Sequence, residues 1–323
     1  MKNLINKVNL YWLVLIVAIY LILNTLMSMG VINSVLRLTL VNIGINIILA
    51  ISLNLIIGVC GQFTLGHAGF MCVGAYSSAI ITRMMPNYFG FAIGIVVGMI
   101  ISSVLALIVA VPTLRLKGDY LAIATLGFAE IIRIVVNNLE ITNGAAGLSG
   151  IPKLTNFSIV YFSIVVSIIL IANFAHSAPG RACISVREDE IASESMGINT
   201  TKYKIIAFII GAVVASFAGS LFANNLPFIK PTTFGFAKSI DILVIVVFGG
   251  LGSVTGSVIS SLLLGLISLY LQSFAEIRMI IYALAIIVIM IFRPTGLLGN
   301  AEFTVSGIVK WIKKRQVKNN VTT

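Results

Sequence analysis

GRACISVREDEIASESMGINTTKYKI, residues 180–205, is a charged island between long apolar runs. Arg181, Arg187, Glu188, Asp189, Glu190 and Glu194 crowd into it, followed by Lys202 and Lys204. On both sides the chain returns to Ile, Val, Leu and Phe. In hydrocarbon each of these charges would cost ~2.5–3.5 kcal/mol even on the lenient insertion scale. The island is therefore an aqueous loop between two membrane spans. Val186, Ile191, Ser195 and Ile198 fall at roughly helical spacing, and Gly197 stands where a helix would stop. The pattern predicts one short helix on the membrane face, charged on one side and suited to docking a soluble partner.

Composition agrees. Of 323 residues, 59% are hydrophobic and 10% are charged, whereas an ordinary soluble domain carries about 25% charged residues. Apolar runs of ~20 residues match the hydrocarbon slab. They lack the alternating polarity of a β-barrel. The fold class is all-α and polytopic. A net charge of +11 would suggest nucleic acid in a soluble protein. Here the basic residues gather in loops that anchor spans, so a lipid membrane is the expected surroundings and nucleic acid is not an expected partner. Cys60, Cys72 and Cys183 are odd in number and form no C-x-x-C pair, which points to neither a disulfide framework nor a metal site. No cofactor is expected.

About ten hydrophobic passes can be drawn, at residues 10–27, 36–59, 63–82, 91–111, 120–136, 158–174, 205–224, 240–250, 254–274 and 279–292. Two of them are short for a membrane crossing. Lys2 and Lys7 precede the first, which is too long for a signal-peptide core and lacks an A-x-A site, so it reads as an uncleaved span. With the amino terminus inside, Arg115, Lys117, the island and the tail lysines also fall inside, as the positive-inside rule asks. Lys153, Lys230 and Lys238 fall outside. Residues 1–304 form the membrane domain, with a cytoplasmic loop at 179–204 and a basic cytoplasmic tail at 305–323. Two halves of five spans would have opposite orientation, the arrangement of an inverted repeat. Glycine clusters at Gly58, Gly61, Gly66, Gly69 and Gly74, and at Gly249, Gly250, Gly252 and Gly256, are its markers.

The first cluster, GVCGQFTLGHAGFMCVGAY at 58–76, has a small residue every few positions. Small residues let helices approach closely in lipid. Glycines also permit a broken or re-entrant helix where protein covers it. Gly61, Gln62, Thr64, Gly66, His67, Gly69 and Gly74 are thus candidates for either packing or a pathway lining. The spacing G-x-x-x-x-G here is no P-loop, because His67 replaces the lysine that must reach the phosphates. His67 stands alone and reads as a hydrogen-bonded structural histidine. Glu130 and Arg133 share a helical face, as an ion pair or as part of a site. Asp241 lies close to Lys238 at an outer span end, and Glu276 with Arg278 fits a short interfacial turn. GGLGSVTG at 249–256 lacks dinucleotide-binding spacing and reads as a tight turn or helix break. No triad, H-E-x-x-H or catalytic acid pair is present, so no enzyme activity is expected.

With these residues in view, the chain resembles the LivM-type permease subunit of branched-chain amino acid ABC transporters. The resemblance is carried by GQFTLGHAGFMCVGAY, by LRLKGDYLAIATLGFAEIIRIVVNNLEITNGAAGLSGIP at 114–152, and by the island running on into KIIAFIIGAVVASFAGSLFA. VVFGGLGSVTGSVISS and FRPTGLLG complete it. It implies that the island forms a coupling helix fitting a groove on an ATPase subunit. Glu190, Ile191 and Ala192 stand where such importers have E-A-A ahead of a glycine, here Gly197, with Ile replacing the first Ala and one extra residue of spacing. The coupling residues so implied are Arg181, Arg187, Glu188, Asp189, Glu190, Ile191, Ala192, Glu194, Gly197 and Ile198. The implied partners are a LivH-type second permease, two ABC ATPases and an extracytoplasmic binding protein, in a bacterial cytoplasmic membrane with both termini inside. Leucine, isoleucine and valine are the family default, and related permeases carry urea, short amides or other amino acids. An ion-coupled secondary transporter would need a carboxylate or histidine relay. Only Glu130 and Asp241 offer one, and the island would then have no role. A channel would need a selectivity filter, and no such signature is present.

Overall fold

A segment in lipid must satisfy its own backbone polar groups, which favours helices wherever the sequence is apolar. The computed structural model describes residues 2–30, 33–113, 116 and 118–270, with scattered positions between 280 and 299. Helices dominate it. The chain divides into two compact units, one of them Thr39–Asn300 and the other containing the amino-terminal segment to Leu38. The amino-terminal segment carries α1 (Lys2–Ser28). The expected tail at 305–323, most of the tenth span at 279–292, and Arg115, Lys117, Glu276 and Arg278 lie outside the described residues.

The large unit is built around α2 (Ser34–Asn54), which runs on through a π-helical turn, Leu55–Val59, as one 26-residue span. Ile48, Leu49, Ala50, Ile51 and Ile56 are fully buried there. After the loop 60–66 come α3 (His67–Met84), α4 (Tyr88–Thr113) and α5 (Asp119–Asn138). Then follow α6 (Phe157–His176), α7 (Ala178–Glu188), α8 (Glu190–Ser195) and α9 (Thr200–Ala223). The last two are α10 (Phe236–Gly249) and α11 (Val254–Tyr270). Ile100, Val104 and Ile108 recur every four residues on α4 and are exposed, the stripe a helix turns toward lipid.

α3, α4 and α9 pack through small residues. A Cβ at Gly74 would lie 1.9 Å from the Ser216 carbonyl oxygen, and one at Gly219 would lie 2.0 Å from that of Met71. Ser220 Oγ donates to the Gly74 carbonyl at 3.0 Å. Backbone meets backbone at this crossing, the contact that dispersion rewards in lipid.

Five helical segments are long and apolar enough to cross a membrane: Ser34–Val59, Tyr88–Thr113, Phe157–His176, Thr200–Ala223 and Pro231–Gly249. Val14–Ser28 and Val254–Tyr270 are shorter apolar helices. α3 and α5 complete the bundle with more polar sequences, which carry His67, Glu130 and Arg133.

Loop contacts sort the turns onto two faces. The 60–66 loop meets α7, and Leu297 N donates to the Phe248 carbonyl at 3.0 Å beside the 250–253 turn. On the other face, β1 (Leu148–Ser149) pairs antiparallel with β2 (Phe228–Ile229), the only sheet among the described residues. A Cβ at Gly58 would lie 2.2 Å from Gly252 N. The two glycine turns therefore sit together.

Candidate functional site

The charged island folds as two helices, where the spacing predicted one. Asp189 adopts an extended conformation and caps α8, its Oδ1 accepting from Ala192 N at 3.0 Å. An Asp at this position satisfies an orphan amide of the first turn, and the cap breaks the continuous stripe. Val186 and Ser193 are buried, whereas Ile191 is 76% exposed and Ser195 is also exposed. Ser193 Oγ instead meets Ser185 Oγ at 2.7 Å, which folds α8 back on α7. Gly197, with φ of +81°, ends the helical stretch in the left-handed region. Ile198 is half-buried just beyond it.

Each end of α8 is tied to α9. Lys204 Nζ donates to Glu190 Oε1 at 2.5 Å, and Thr200 Oγ1 donates to Glu194 Oε1 at 2.8 Å. What remains outward is Glu188, Asp189, Ile191, Ala192 and Met196, the last 82% exposed. Two large apolar side chains, Ile191 and Met196, thus stand exposed among acids. Arg181 turns the other way, with Nη1 donating to the His176 carbonyl at 2.7 Å.

Arg187 joins the island to the first glycine cluster. Its Nη1 donates to the Gly58 carbonyl, and its stem lies over Gly61, whose φ is +72°. The π-helical turn has left that carbonyl for a side chain to satisfy. Beside it, Cys60 and Cys183 of α7 are both buried, and the Cys183 thiol donates to the Tyr203 carbonyl at 3.6 Å. Interaction with the neighbouring Cys183 thiol, together with burial, pushes Cys60 well above the usual thiol range. The same interaction holds Cys183 below it.

The other predicted positions lie deeper. Gln62 and Thr64 are buried, and Gln62 Oε1 has no partner among the described residues. Gly66 precedes α3 where a Cβ would lie 2.7 Å from the Thr125 carbonyl oxygen, and Gly69 abuts Ala129. His67 is 1% exposed, with Nε2 2.7 Å from Ser52 Oγ. Ser52 donates to the Leu49 carbonyl, so it accepts from an Nε2–H tautomer. Arg133 Nε donates to Glu130 Oε2 at 2.7 Å, and the pair flanks Gly235 ahead of α10. Gly74 sits in the α3–α9 crossing. The structure therefore brings Gly58, Gly61 and Arg187 together and leaves Glu130, Arg133 and Gly74 elsewhere.

Sequence reasoning passed over Asn54. It is 2% exposed, its Nδ2 donates to the Ser253 carbonyl at 2.8 Å, and its Oδ1 accepts from Gly252 N at 2.8 Å. This amide ties the end of α2 to the second glycine turn. An asparagine inside an apolar span was the available signal, since such residues seek partners within the bundle.

Against known proteins, the family described as branched-chain amino acid transport system / permease component matches residues 35–292. The chain is 36% identical over 289 residues to the high-affinity branched-chain amino acid transport system permease protein LivM of Salmonella typhimurium, covering 79% of this chain and 68% of that protein. The LivM protein of Escherichia coli gives the same identity and coverage. LivH of Salmonella typhimurium is 26% identical over 288 residues, covering 79% of this chain and 91% of that protein. No solved structure matches. The family match runs from the start of α2 to beyond α11, and the chain belongs to the branched-chain amino acid transport permease family.

Proposed function

We propose that this chain is a membrane subunit of an ABC importer that moves leucine, isoleucine and valine inward. Its partners would be a LivH-type permease, two ATPases and an extracytoplasmic binding protein. The island, residues 179–204, would be the coupling loop within a membrane domain at 1–304, followed by the basic tail at 305–323. Both termini would face the cytoplasm of a bacterium. The observation that carries this reading is the Arg187 bridge. An aqueous helix pair with an exposed Ile191 and Met196 is fastened to the broken end of the central span. Movement imposed on α8 by an ATPase would reach α2 through Arg187 and α9 through Lys204. The spans would then exchange outward and inward openings, as alternating access requires. The chain itself would perform no covalent chemistry.

The test is reconstitution. The four kinds of subunit together should take up labelled leucine in an ATP-dependent manner, and omission of any one should abolish uptake. The chain alone should neither hydrolyse ATP nor accumulate leucine down an ion or pH gradient. Gradient-driven accumulation by the lone chain would overturn the assignment.

A further inference from the structure

A cavity of about 320 Å³ opens between α2, α10 and α11. Its volume falls at the small end of the ~300–1,000 Å³ that ligand pockets span. Asn42, Asn46, Lys238, Asp241 and Ser268 line it. Asn46 lies at the midpoint of the 26-residue span Ser34–Val59, so the cavity is near mid-bilayer depth. Transport sites favour that depth, beside short or interrupted helices. α10 is the 14-residue stretch of the Pro231–Gly249 span, which a 3-10 turn at Pro231–Phe234 interrupts.

The polar groups are of both signs and close together. Lys238 Nζ donates to Asn46 Oδ1 at 2.9 Å. Asp241 is one turn further along α10, on the same face as Lys238. Asn42 is one turn from Asn46 on α2. Its Oδ1 is buried and has no hydrogen-bond partner among the described residues, and a buried acceptor left so calls for an explanation. Ionisable side chains are rare at this depth and mark solute pathways by default. Ile43, Val244, Ile245 and Leu264 supply apolar wall.

We infer that this cavity is a transit site for the zwitterionic head of an α-amino acid. Lys238 and the asparagine amides take the carboxylate. Asp241 and Asn42 Oδ1 take the ammonium, and the aliphatic side chain lies on the apolar wall. The inference rests on the importer reading above and names the residues of this chain that would meet its substrate.

The experiment uses the complete importer in proteoliposomes, with wild type, Lys238→Gln and Asp241→Asn. For each, leucine uptake is measured beside ATP hydrolysis stimulated by the binding protein. Each variant should lose uptake efficiency by about tenfold or more, the scale of one hydrogen bond to a charged group. Stimulated ATP hydrolysis should stay near wild type, because the coupling loop is untouched. Equilibrium binding of labelled leucine to the permease–ATPase complex gives a second readout. In wild type, 4-methylpentanoate, which lacks the ammonium, should compete poorly. In Asp241→Asn that handicap should shrink, an effect that loss of structure alone would not give. Normal leucine uptake in both variants, with the handicap unchanged, overturns the cavity assignment alone. A wild-type complex that takes up no amino acid overturns the importer reading and this inference with it. If either variant fails to assemble, Ser268→Cys decides: leucine should slow its modification by a thiol reagent, and unprotected labelling overturns the site.

Discussion

Arg187→Ala removes the side chain whose hydrogen bond joins the island to the end of the central span. The side chain is 29% exposed, so its bond to the Gly58 carbonyl is largely shielded from water. A hydrogen bond from a charged donor contributes about 1.5–3 kcal/mol. The neighbouring pair with Glu188, whose side chain is 66% exposed, adds little, as exposed pairs do. If the bond transmits the ATPase stroke, its loss should lower leucine uptake by about ten- to a hundredfold at an unchanged rate of ATP hydrolysis. Arg187→Lys keeps the charge and can still reach a single carbonyl, so it should fall between. The assay is uptake and phosphate release measured on the same proteoliposomes. Uptake and hydrolysis declining in parallel would refute the reasoning, because the fault would then lie in docking or assembly. Full uptake in Arg187→Ala would refute it more simply.

Ile191→Asp should weaken ATPase recruitment, because a large exposed apolar group would be lost from the docking face; co-purification of the ATPase with the permease pair measures it. A cysteine at Met196 should label only from the cytoplasmic side and one at Lys153 only from outside, and labelling from a common side would break the proposed topology. Gly74→Leu should lower the thermal stability of the assembled permease by about 1–3 kcal/mol or more, since its Cβ alone would lie 1.9 Å from a backbone oxygen; a thermal shift assay reads this. Copper-catalysed oxidation should join Cys60 to Cys183 and halt uptake reversibly by thiols, whereas Cys183→Ser should be indifferent to the oxidant.

The membrane class and most helices were legible because hydrophobicity over ~20 residues is a one-dimensional property. The island was legible for the converse reason. Its internal break was not, since Asp189 could sit in a helix or cap one, and only the Ser185–Ser193 contact settles which. The glycine clusters announced close approach without naming the partner. Gly74 meets α9 and Gly58 meets Gly252, both distant in sequence. Asn42, Asn46 and Asn54 were overlooked because neutral amides stand out less than charges against an apolar background. Their significance depends on which way each faces, which three-dimensional packing decides.

The crossing of α3 with α9 has a mechanical consequence. Where Gly74 and Gly219 bring backbones into contact, no rotamer is left to yield and no side chain can be compressed. Strain entering there passes on undiminished, as along a stiff strut. Bending must then concentrate where the chain is weakly braced by its own ladder, at the π-helical turn before Gly61 and at the Gly250–Gly252 turn. A transporter built in this way would pivot at its two glycine joints and carry the α3–α4–α9 bundle as a single moving part.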